Sequence, residues 1–368
     1  MTASKPSRST ESTAADIAIQ ADLFRRTKCE LDELQSFHLG QPIEQIEPDS
    51  DRCFPAQGPL AYGFVDHVVS RAATLPGGRA RSAGPEGGGG RRVAAVVPPV
   101  VDPSWLRAHR SEVVLADVRW YLDGRSGRAA YDAGHLPGAV FVDLDRWLAA
   151  PADPGAGRHP LPEPEIFAEG MAGLGIGDLD TVVAYDDAGG VVAARLVWML
   201  RATGHEAALL DGGVAAWDGP LEQAAPEPVP AVFTARPWPA ERLAGVEDVL
   251  DPAAVVIDAR DPDRYRGDRE PVDPRAGHVP GAVNVPARAN LDGSGRFRPV
   301  EELRRTFAAA GVTADSDVVS YCGSGVTACH DLLALELAGL PQGRLYAGSW
   351  SQYSADPERP MAVGDRPS

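Results

Sequence analysis

The sequence predicts an α/β protein that contains two copies of one domain, each a parallel sheet flanked by helices. A repeat beyond residue 96 is the first reason, because GHLPGA at 134–139 returns as GHVPGA at 277–282. In both copies, short valine-rich stretches alternate with helical stretches. The length of 368 residues also exceeds one ordinary hydrophobic core and suits two domains.

The same elements recur in the same order in both copies. Each copy starts with an apolar strand that ends in an aspartate and an arginine, and a second apolar strand follows the GHxPGA motif. The predicted strands are 113–119 and 181–186 in the first copy and 255–260 and 317–322 in the second, with helices at 301–310 and 326–338. Ligands of such sheets bind at the carboxyl ends of the strands.

The copies define two domains with a linker between them. We place the first domain at 98–222 and the second at 241–362. Prolines are frequent from 220 to 239, so residues 223–240 are predicted to form an extended linker.

The first 95 residues differ in composition from the two copies. They open with Ser/Thr-rich sequence and close with a glycine-rich, low-complexity run at 77–92. Because such sequence buries little apolar surface, we expect residues 1–95 to form a largely disordered N-terminal extension. One helix is predicted at about 16–37, where apolar residues recur at helical spacing. A start codon assigned too far upstream would also account for this region.

Charge and cysteine content exclude several classes of function. A net charge of −17 disfavours binding to nucleic acid or to an anionic membrane. The four cysteines lack CxxC spacing, which argues against a disulfide framework and against structural zinc. The sequence has no apolar run of membrane-spanning length and no secretory signal after Met1, so we expect a cytoplasmic protein. It also has no metal-ligand cluster, GxGxxG motif or Walker loop, so we expect no metal and no cofactor.

The segment YCGSGVTAC at 321–329 is the strongest functional signal. Cys322 leaves the end of a predicted strand and enters a glycine loop before a helix that is predicted to begin near Val326. In such a loop, Gly323 and Gly325 can turn backbone N–H groups inward, and the helix N-terminus favours negative charge. These surroundings predict a thiolate at neutral pH. The alternative is a buried, unreactive cysteine at a strand end.

A cysteine phosphatase would use a similar thiolate. Such an enzyme needs an arginine six residues after the cysteine to hold the phosphoryl oxygens, and Ala328 occupies that position here. The sequence therefore argues against phosphatase chemistry.

Taken together, these motifs resemble those of the tandem-domain rhodanese superfamily, especially its 3-mercaptopyruvate and thiosulfate sulfurtransferases. The resemblance covers about residues 98–362. It depends on the paired GHxPGA motifs, CGSGVTAC, YAGSW at 346–350, and the tract from DAR at 258–260 to DPR at 273–275. It implies two rhodanese-like domains and a Cys322 that carries sulfur as a persulfide. Asp186 aligns with Cys322 in the first domain, which implies a non-catalytic first domain.

The resemblance also implies the residues of the site. Arg264 and Arg275 match two substrate arginines of the family, although the stretch between them is about two residues longer here. The loop residues Gly323, Ser324, Gly325, Val326 and Thr327 would bind the substrate. His135 and Arg195 are candidates for the wall of the cleft, although His135 also suits a purely structural turn and Arg195 equally suits an interdomain salt bridge. The segment 157–162 is expected to form a loop at the cleft edge, without assigned chemistry.

The CGSGVT loop is the pattern of the mercaptopyruvate enzymes, whereas thiosulfate enzymes resemble CRKGVT. The resemblance therefore implies sulfur transfer from 3-mercaptopyruvate, with thiosulfate as a slower donor, to cyanide or a thiol such as that of thioredoxin. Two alternatives stay open: a thiosulfate-preferring enzyme, and a non-catalytic rhodanese-like binding module.

Overall fold

Two parallel sheets form the frame of the protein. The computed structural model describes residues 97–365, so the helix predicted at 16–37 and the disorder predicted for 1–95 lie outside the described residues. The strands are β1 Val100–Val101, β2 Val113–Asp117, β3 Val140–Phe141, β4 Thr181–Tyr185, β5 Ala207–Leu210, β6 Val255–Asp258, β7 Val283–Asn284, β8 Val318–Tyr321 and β9 Arg344–Leu345. Their orders are β1-β5-β4-β2-β3 and β7-β6-β8-β9, and all the paired strands are parallel.

Helices flank both sheets, as the alternating pattern predicted. They are α1 Pro103–Ala108, α2 Gly127–Ala133, α3 Pro164–Gly173, α4 Ala194–Ala202, α5 Val246–Val249, α6 Pro262–Arg266, α7 Val300–Ala309, α8 Ala328–Leu337 and α9 Ser349–Tyr353. None of the helices between residues 97 and 365 has the length and apolarity needed to cross a membrane.

The central strands are valine-rich because helices cover them on both faces. β2 pairs with β4 from Val113↔Thr181 to Asp117↔Tyr185, and β6 pairs with β8 from Val255↔Val318 to Asp258↔Tyr321. The carboxyl ends of β2 and β4 therefore lie together at one edge, and those of β6 and β8 at the corresponding edge of the second sheet.

A buried ion pair repeats in both domains and explains the Asp-x-Arg motif at the ends of β2 and β6. Asp117 accepts from the guanidinium of Arg119 at 2.6 Å, and Asp258 accepts from that of Arg260 at 2.7 Å. Each arginine also donates to the carbonyl of the glycine that opens the GHxPGA motif. The motif is thus tied to the strand end beside it in both copies.

The two domains share one apolar core. Helices α4 and α8 contact each other across the domain boundary, and the largest cluster of buried residues draws on both domains. An ion pair between Arg201 on α4 and Glu336 on α8 also joins them. Any cleft between the domains therefore has walls that are held by common packing.

The segment between the domains is irregular and lies against the first domain. Ala231 N–H donates to the carbonyl of Ala172 at 2.9 Å, and the Trp238 indole N–H donates to that of Pro162 at 2.7 Å. Phe233 packs edge-on against Phe167 of α3.

Candidate active site

Cys322 lies directly after β8, at the carboxyl end of a central strand. Gly325 N–H donates to its Sγ at 3.1 Å, and Gly325 needs its glycine because φ is +77°. Cys322 N–H donates to the Oγ of Ser349, itself held at φ +53°, and Cys322 is 2% exposed. Helix α8 begins at Ala328, two residues later than predicted, so Val326 belongs to the loop. The sulfur is thus fixed at the end of a strand by backbone contacts.

A cavity of about 590 Å³ opens above this cysteine and has walls from both domains. Its floor includes the loop residues Gly323, Ser324, Val326 and Thr327 beside Cys322. Trp120, Tyr121 and Leu122 of the first domain form an opposite wall. Five arginines also line it: Arg125, Arg158, Arg260, Arg264 and Arg288. Three aspartates, Asp123, Asp187 and Asp261, line it as well, so arginines outnumber acidic residues in the lining although the whole chain is acidic.

Ser324 is linked to a histidine of the other domain. Ser324 Oγ lies 2.7 Å from His159 Nδ1, and His159 Nε2 lies 3.5 Å from a carboxylate oxygen of Asp145. Burial and the charges of Arg195 and Arg158 lower the pKa of His159 to about 4, so the imidazole is neutral at pH 7. With Nε2–H directed at Asp145, Nδ1 accepts from the serine hydroxyl. The contact thus joins the cavity floor to the first domain.

Two guanidinium groups lie over Gly323, one from each domain. A Cβ built on Gly323 would stand 2.9 Å from Nη2 of Arg158 and 3.3 Å from Nη1 of Arg264. Glycine at this position therefore makes room for cations beside the sulfur. Asp273 forms ion pairs with both Arg158 and Arg264, and Glu270 forms a further one with Arg264 at 2.7 Å.

Arg275, which was predicted to bind substrate, is not among the described residues that line the cavity. Its guanidinium donates to the backbone carbonyls of Ser354, Pro357 and Arg359, so it fastens the C-terminal segment to the domain. The longer stretch after Arg264 carries Arg275 away from the cavity, whereas Arg264 does line it.

His135, a candidate for the cleft wall, is likewise absent from the described residues that line the cavity. His135 is fully buried, its ring stacks on Tyr131 at 3.8 Å, and its Nδ1 lies 2.9 Å from the Tyr131 carbonyl. Its backbone pairs with Glu222. The imidazole therefore has the structural role in the turn that was the alternative reading.

Arg195 reaches the cysteine loop from behind instead of lining the open cavity. It is fully buried, and its guanidinium donates to the carbonyls of Gly325 at 2.8 Å, His159 at 3.1 Å and Leu148 at 3.2 Å. One side chain of the first domain thus holds the loops that carry Cys322 and His159.

The second cysteine of the loop region is buried within α8. Cys329 Sγ donates to the Gly325 carbonyl at 3.4 Å, and burial raises the pKa of this thiol to about 12. A neutral thiol of this kind braces the loop and is a poor nucleophile.

The corresponding loop of the first domain contains its own anion. The carboxylate of Asp186 accepts four backbone N–H groups at 2.7–2.9 Å, from Ala188, Gly190, Val192 and Ala193. Burial raises the pKa of this carboxyl group against the effect of those donors. The space that a substrate anion would need in this loop is therefore already filled.

Comparison with known proteins agrees with this architecture. Residues 102–219 and 244–356 each match the family described as Rhodanese-like domain. The chain belongs to the rhodanese family. The resemblance inferred from the sequence motifs and the predicted pair of rhodanese domains are thereby confirmed.

Several rhodanese relatives are similar over nearly their whole length. A Pseudomonas aeruginosa protein named "Probable 3-mercaptopyruvate sulfurtransferase" is 43% identical over 271 residues, 70% of this chain and 95% of that protein. A Mycobacterium tuberculosis protein with the provisional name thiosulfate sulfurtransferase SseB is 40% identical over 260 residues, covering 68% and 91%. The crystal structure of SseA from Escherichia coli, titled as a 3-mercaptopyruvate sulfotransferase, shares 35% identity with a TM-score of 0.62, covering 69% of this chain and 99% of that one.

The N-terminal segment is similar to a different family. Residues 1–72 match the family described as Clp protease. This match precedes the glycine-rich run at 77–92 and lies outside the described residues of this rhodanese.

Three residues near Cys322 were not predicted from the sequence: Asp145, Arg158 and His159. The segment 157–162 was placed at the cleft edge, but no spacing rule connects it with a loop far along the chain. His159 and Ser324 are separated by 165 positions. The sequence indicated only in general that the first domain contributes to the cleft, through the candidates His135 and Arg195 and the segment 157–162.

Proposed function

We propose that this rhodanese transfers a sulfur atom from 3-mercaptopyruvate to a thiol or cyanide through a persulfide on Cys322. The observation that carries the proposal is the cysteine itself, whose sulfur accepts the Gly325 N–H at the floor of a cavity lined by five arginines. The names of the relatives support the donor, and the CGSGVT loop is the pattern expected for it.

The first half-reaction balances as follows. The thiolate of Cys322 attacks the thiol sulfur of 3-mercaptopyruvate, an S–S bond forms, and the C–S bond breaks. The electron pair of that bond leaves on carbon as the enolate of pyruvate. The proton of the donor's S–H group then moves to this enolate, which gives pyruvate and Cys322–S–S⁻. No oxidant or cofactor is consumed.

In this proposal, Ser324 and His159 carry that proton. The serine hydroxyl donates to the neutral imidazole, so a lone pair of Oγ faces the cavity and can accept the S–H proton while its own proton passes to Nδ1. Asp145 stabilises the transient imidazolium. The proton returns by the same path to the enolate carbon. Ser324 and His159 thus serve a donor that must lose and regain a proton.

In the second half-reaction, an acceptor thiolate or cyanide attacks the outer sulfur of the persulfide, and Cys322 leaves as a thiolate. The acceptor needs only access through the cavity mouth. We propose a thiol of the reducing cytoplasm, such as that of thioredoxin, as the cellular acceptor.

The two domains have different roles in this proposal. Residues 241–362 form the catalytic domain, and residues 98–222 form a non-catalytic domain joined to it by the linker 223–240. The filled loop around Asp186 supports the non-catalytic assignment. The first domain nevertheless supplies Arg158 to the cavity and His159 as the partner of the Ser324 hydroxyl.

Thiosulfate is the second candidate donor, favoured by the name of the Mycobacterium relative. Attack on its outer sulfur would release sulfite and would need no proton transfer. Steady-state transfer to cyanide with each donor, on wild type and on Cys322→Ser, tests the proposal, and Cys329→Ala is the matched control. We expect turnover of 3-mercaptopyruvate above that of thiosulfate, lost in Cys322→Ser and kept in Cys329→Ala. Turnover of neither donor by wild type would favour a binding module instead.

A further inference from the structure

Arg195 is a buried cation without a carboxylate partner in the described part of the chain. Its side chain is fully buried, and its hydrogen bonds go to the backbone carbonyls of three residues and to no acidic side chain of residues 97–365. Asp186, nine positions earlier, gives its carboxylate oxygens to four backbone N–H groups instead. Because burying an unpaired charge is costly, Arg195 needs an anion from elsewhere.

The position of Arg195 in its helix adds to this cost. α4 runs from Ala194 to Ala202, so Arg195 lies in the first turn. The N-terminus of a helix carries partial positive charge, which repels a cation. Arg201, in the last turn of the same helix, has both a favourable position and a carboxylate partner, Glu336 of α8. The two arginines reach the same second domain, but only Arg201 brings its counter-charge with it.

The sulfur of Cys322 lies on the far side of the residue that Arg195 contacts. The Gly325 carbonyl accepts from Arg195 at 2.8 Å, and the Gly325 N–H donates to Cys322 Sγ at 3.1 Å. Burial lowers the pKa of Arg195, whereas Cys329 and Cys322 raise it when they are ionised. Cys329 is neutral at pH 7, because burial raises the pKa of its thiol to about 12. Of the two thiols, Cys322 is the one to which the proposed function assigns a negative charge.

We propose that Arg195 supplies the positive charge that balances the anionic sulfur of Cys322, both as the thiolate and as the persulfide. A fixed charge in a buried site acts more strongly than in water and needs no reorganisation when the reaction begins. The same charge makes the Cys322 thiolate a better leaving group when an acceptor takes the outer sulfur. The inference deepens the proposed function, on which it rests for the role of Cys322.

Alkylation of Cys322 by iodoacetamide tests this charge without any sulfur donor. The rate is followed from pH 5 to 10 by mass spectrometry of the peptide that contains Cys322. In Arg195→Gln, the rate at the acidic end should fall about tenfold or more, because loss of a nearby opposite charge reduces the thiolate fraction. At the alkaline end, where the thiol is fully ionised, the rate should be equal or up to about threefold higher, since a more basic thiolate is a better nucleophile.

Two matched variants separate the charge from the packing. Arg195→Lys also loses the guanidinium fork but keeps the charge, so it should keep the wild-type profile. Arg201→Gln removes an interdomain ion pair from the same helix and should keep it as well. Damage to the loop would instead change the rate by one factor at every pH, or affect the glutamine and lysine variants of Arg195 alike. Either of these results would overturn the inference.

A second comparison leaves Arg195 and its contacts intact. Cys322→Asp places a carboxylate after β8, as Asp186 does after β4, and Cys322→Asn places a neutral group of the same shape there. With the positive charge of Arg195 behind the loop, the aspartate variant should melt about 2–4 °C above the asparagine variant at pH 7. An equal or lower melting temperature would contradict the inference even if Arg195→Gln does not fold.

Both measurements are independent of turnover. A wild-type protein that transfers no sulfur but shows the expected alkylation profiles would contradict the proposed function and support the role of Arg195. An active enzyme whose alkylation profile is the same in wild type and Arg195→Gln would support the proposed function and refute that role.

Discussion

Substitution of Gly325 by alanine tests how the cysteine loop holds its anion. Gly325 has φ +77°, its N–H donates to Cys322 Sγ, and its carbonyl accepts from Arg195. A Cβ at this position would lie 2.6 Å from the backbone oxygen of Ala347, where no flexible side chain can move aside. Alanine must therefore displace the loop.

Two costs contribute to the expected effect. The left-handed backbone costs about 1–2 kcal/mol for a residue with a Cβ. Displacing the N–H from the thiolate removes a hydrogen bond to a charged group, which is worth about 1.5–3 kcal/mol. Since 1.4 kcal/mol corresponds to about a tenfold change, persulfide formation should slow about 10- to 100-fold.

Gly295→Ala is the matched control. Gly295 also has φ +77°, but nothing lies within 4 Å of a Cβ built there. In both variants, backbone strain should lower the melting temperature by a few degrees, since each kcal/mol corresponds to about 2–4 °C. Only Gly325→Ala should also form the persulfide more slowly, as measured by rapid quench and intact mass. Equal rates in the two variants would refute the role assigned to the Gly325 N–H.

Three further predictions concern the proton path and buried titratable groups. Ser324→Ala should lower kcat with 3-mercaptopyruvate about tenfold, as expected for a lost neutral hydrogen bond. The kcat with thiosulfate should not change, because that reaction transfers no proton. Equal losses with the two donors would contradict the proton relay. Burial lowers the pKa of His330 from 6.5 to about 3, so the unfolded chain binds the extra proton first as the pH falls. The contribution of His330 to stability is therefore complete above pH 6.5 and is lost on acidification. Between pH 6 and 4, the free energy of unfolding of wild type should fall more steeply than that of His330→Phe, by at most about 1.4 kcal/mol per pH unit. Parallel curves for the two proteins in pH-dependent denaturation would argue against this. Burial raises the pKa of Asp331, whose side chain accepts from Asn290 at 2.7 Å. The charged form is therefore penalised near neutrality, and Asp331→Asn should raise the melting temperature at pH 7 with a gain that shrinks towards pH 4, whereas a lower melting temperature at pH 7 would show that the carboxylate stabilises the fold.

Local sequence determined the parts of the structure that depend on near neighbours. The repeated GHxPGA motifs and the valine-rich strands predicted both sheets, because parallel strands covered on both faces require continuous apolar sequence. Cys322 and its glycine loop were recognisable because strand, loop and helix follow one another in the chain. The start of α8 was predicted two residues too early. The residue before the helix, Thr327, makes no side-chain cap hydrogen bond.

The residues that the first domain brings to the site could not be predicted from local sequence. Arg158 and His159 come within bonding distance of the second domain only because α4 and α8 join the two domains in one core. The contacts of Arg275 with the C-terminal segment could not be predicted either, because the motif places the residue in the chain and does not show where its side chain points. Site residues whose position depends on the domain interface could thus be identified only from the structure.

The central claim is that Cys322 carries the transferred sulfur. Intact mass after incubation with 3-mercaptopyruvate alone, followed by addition of cyanide, tests it most directly. We expect wild type and Cys329→Ala to gain the mass of one sulfur atom and to lose it on addition of cyanide, while Cys322→Ser gains nothing. A sulfur adduct that persists in Cys322→Ser, or the absence of any adduct on wild type, would contradict the account.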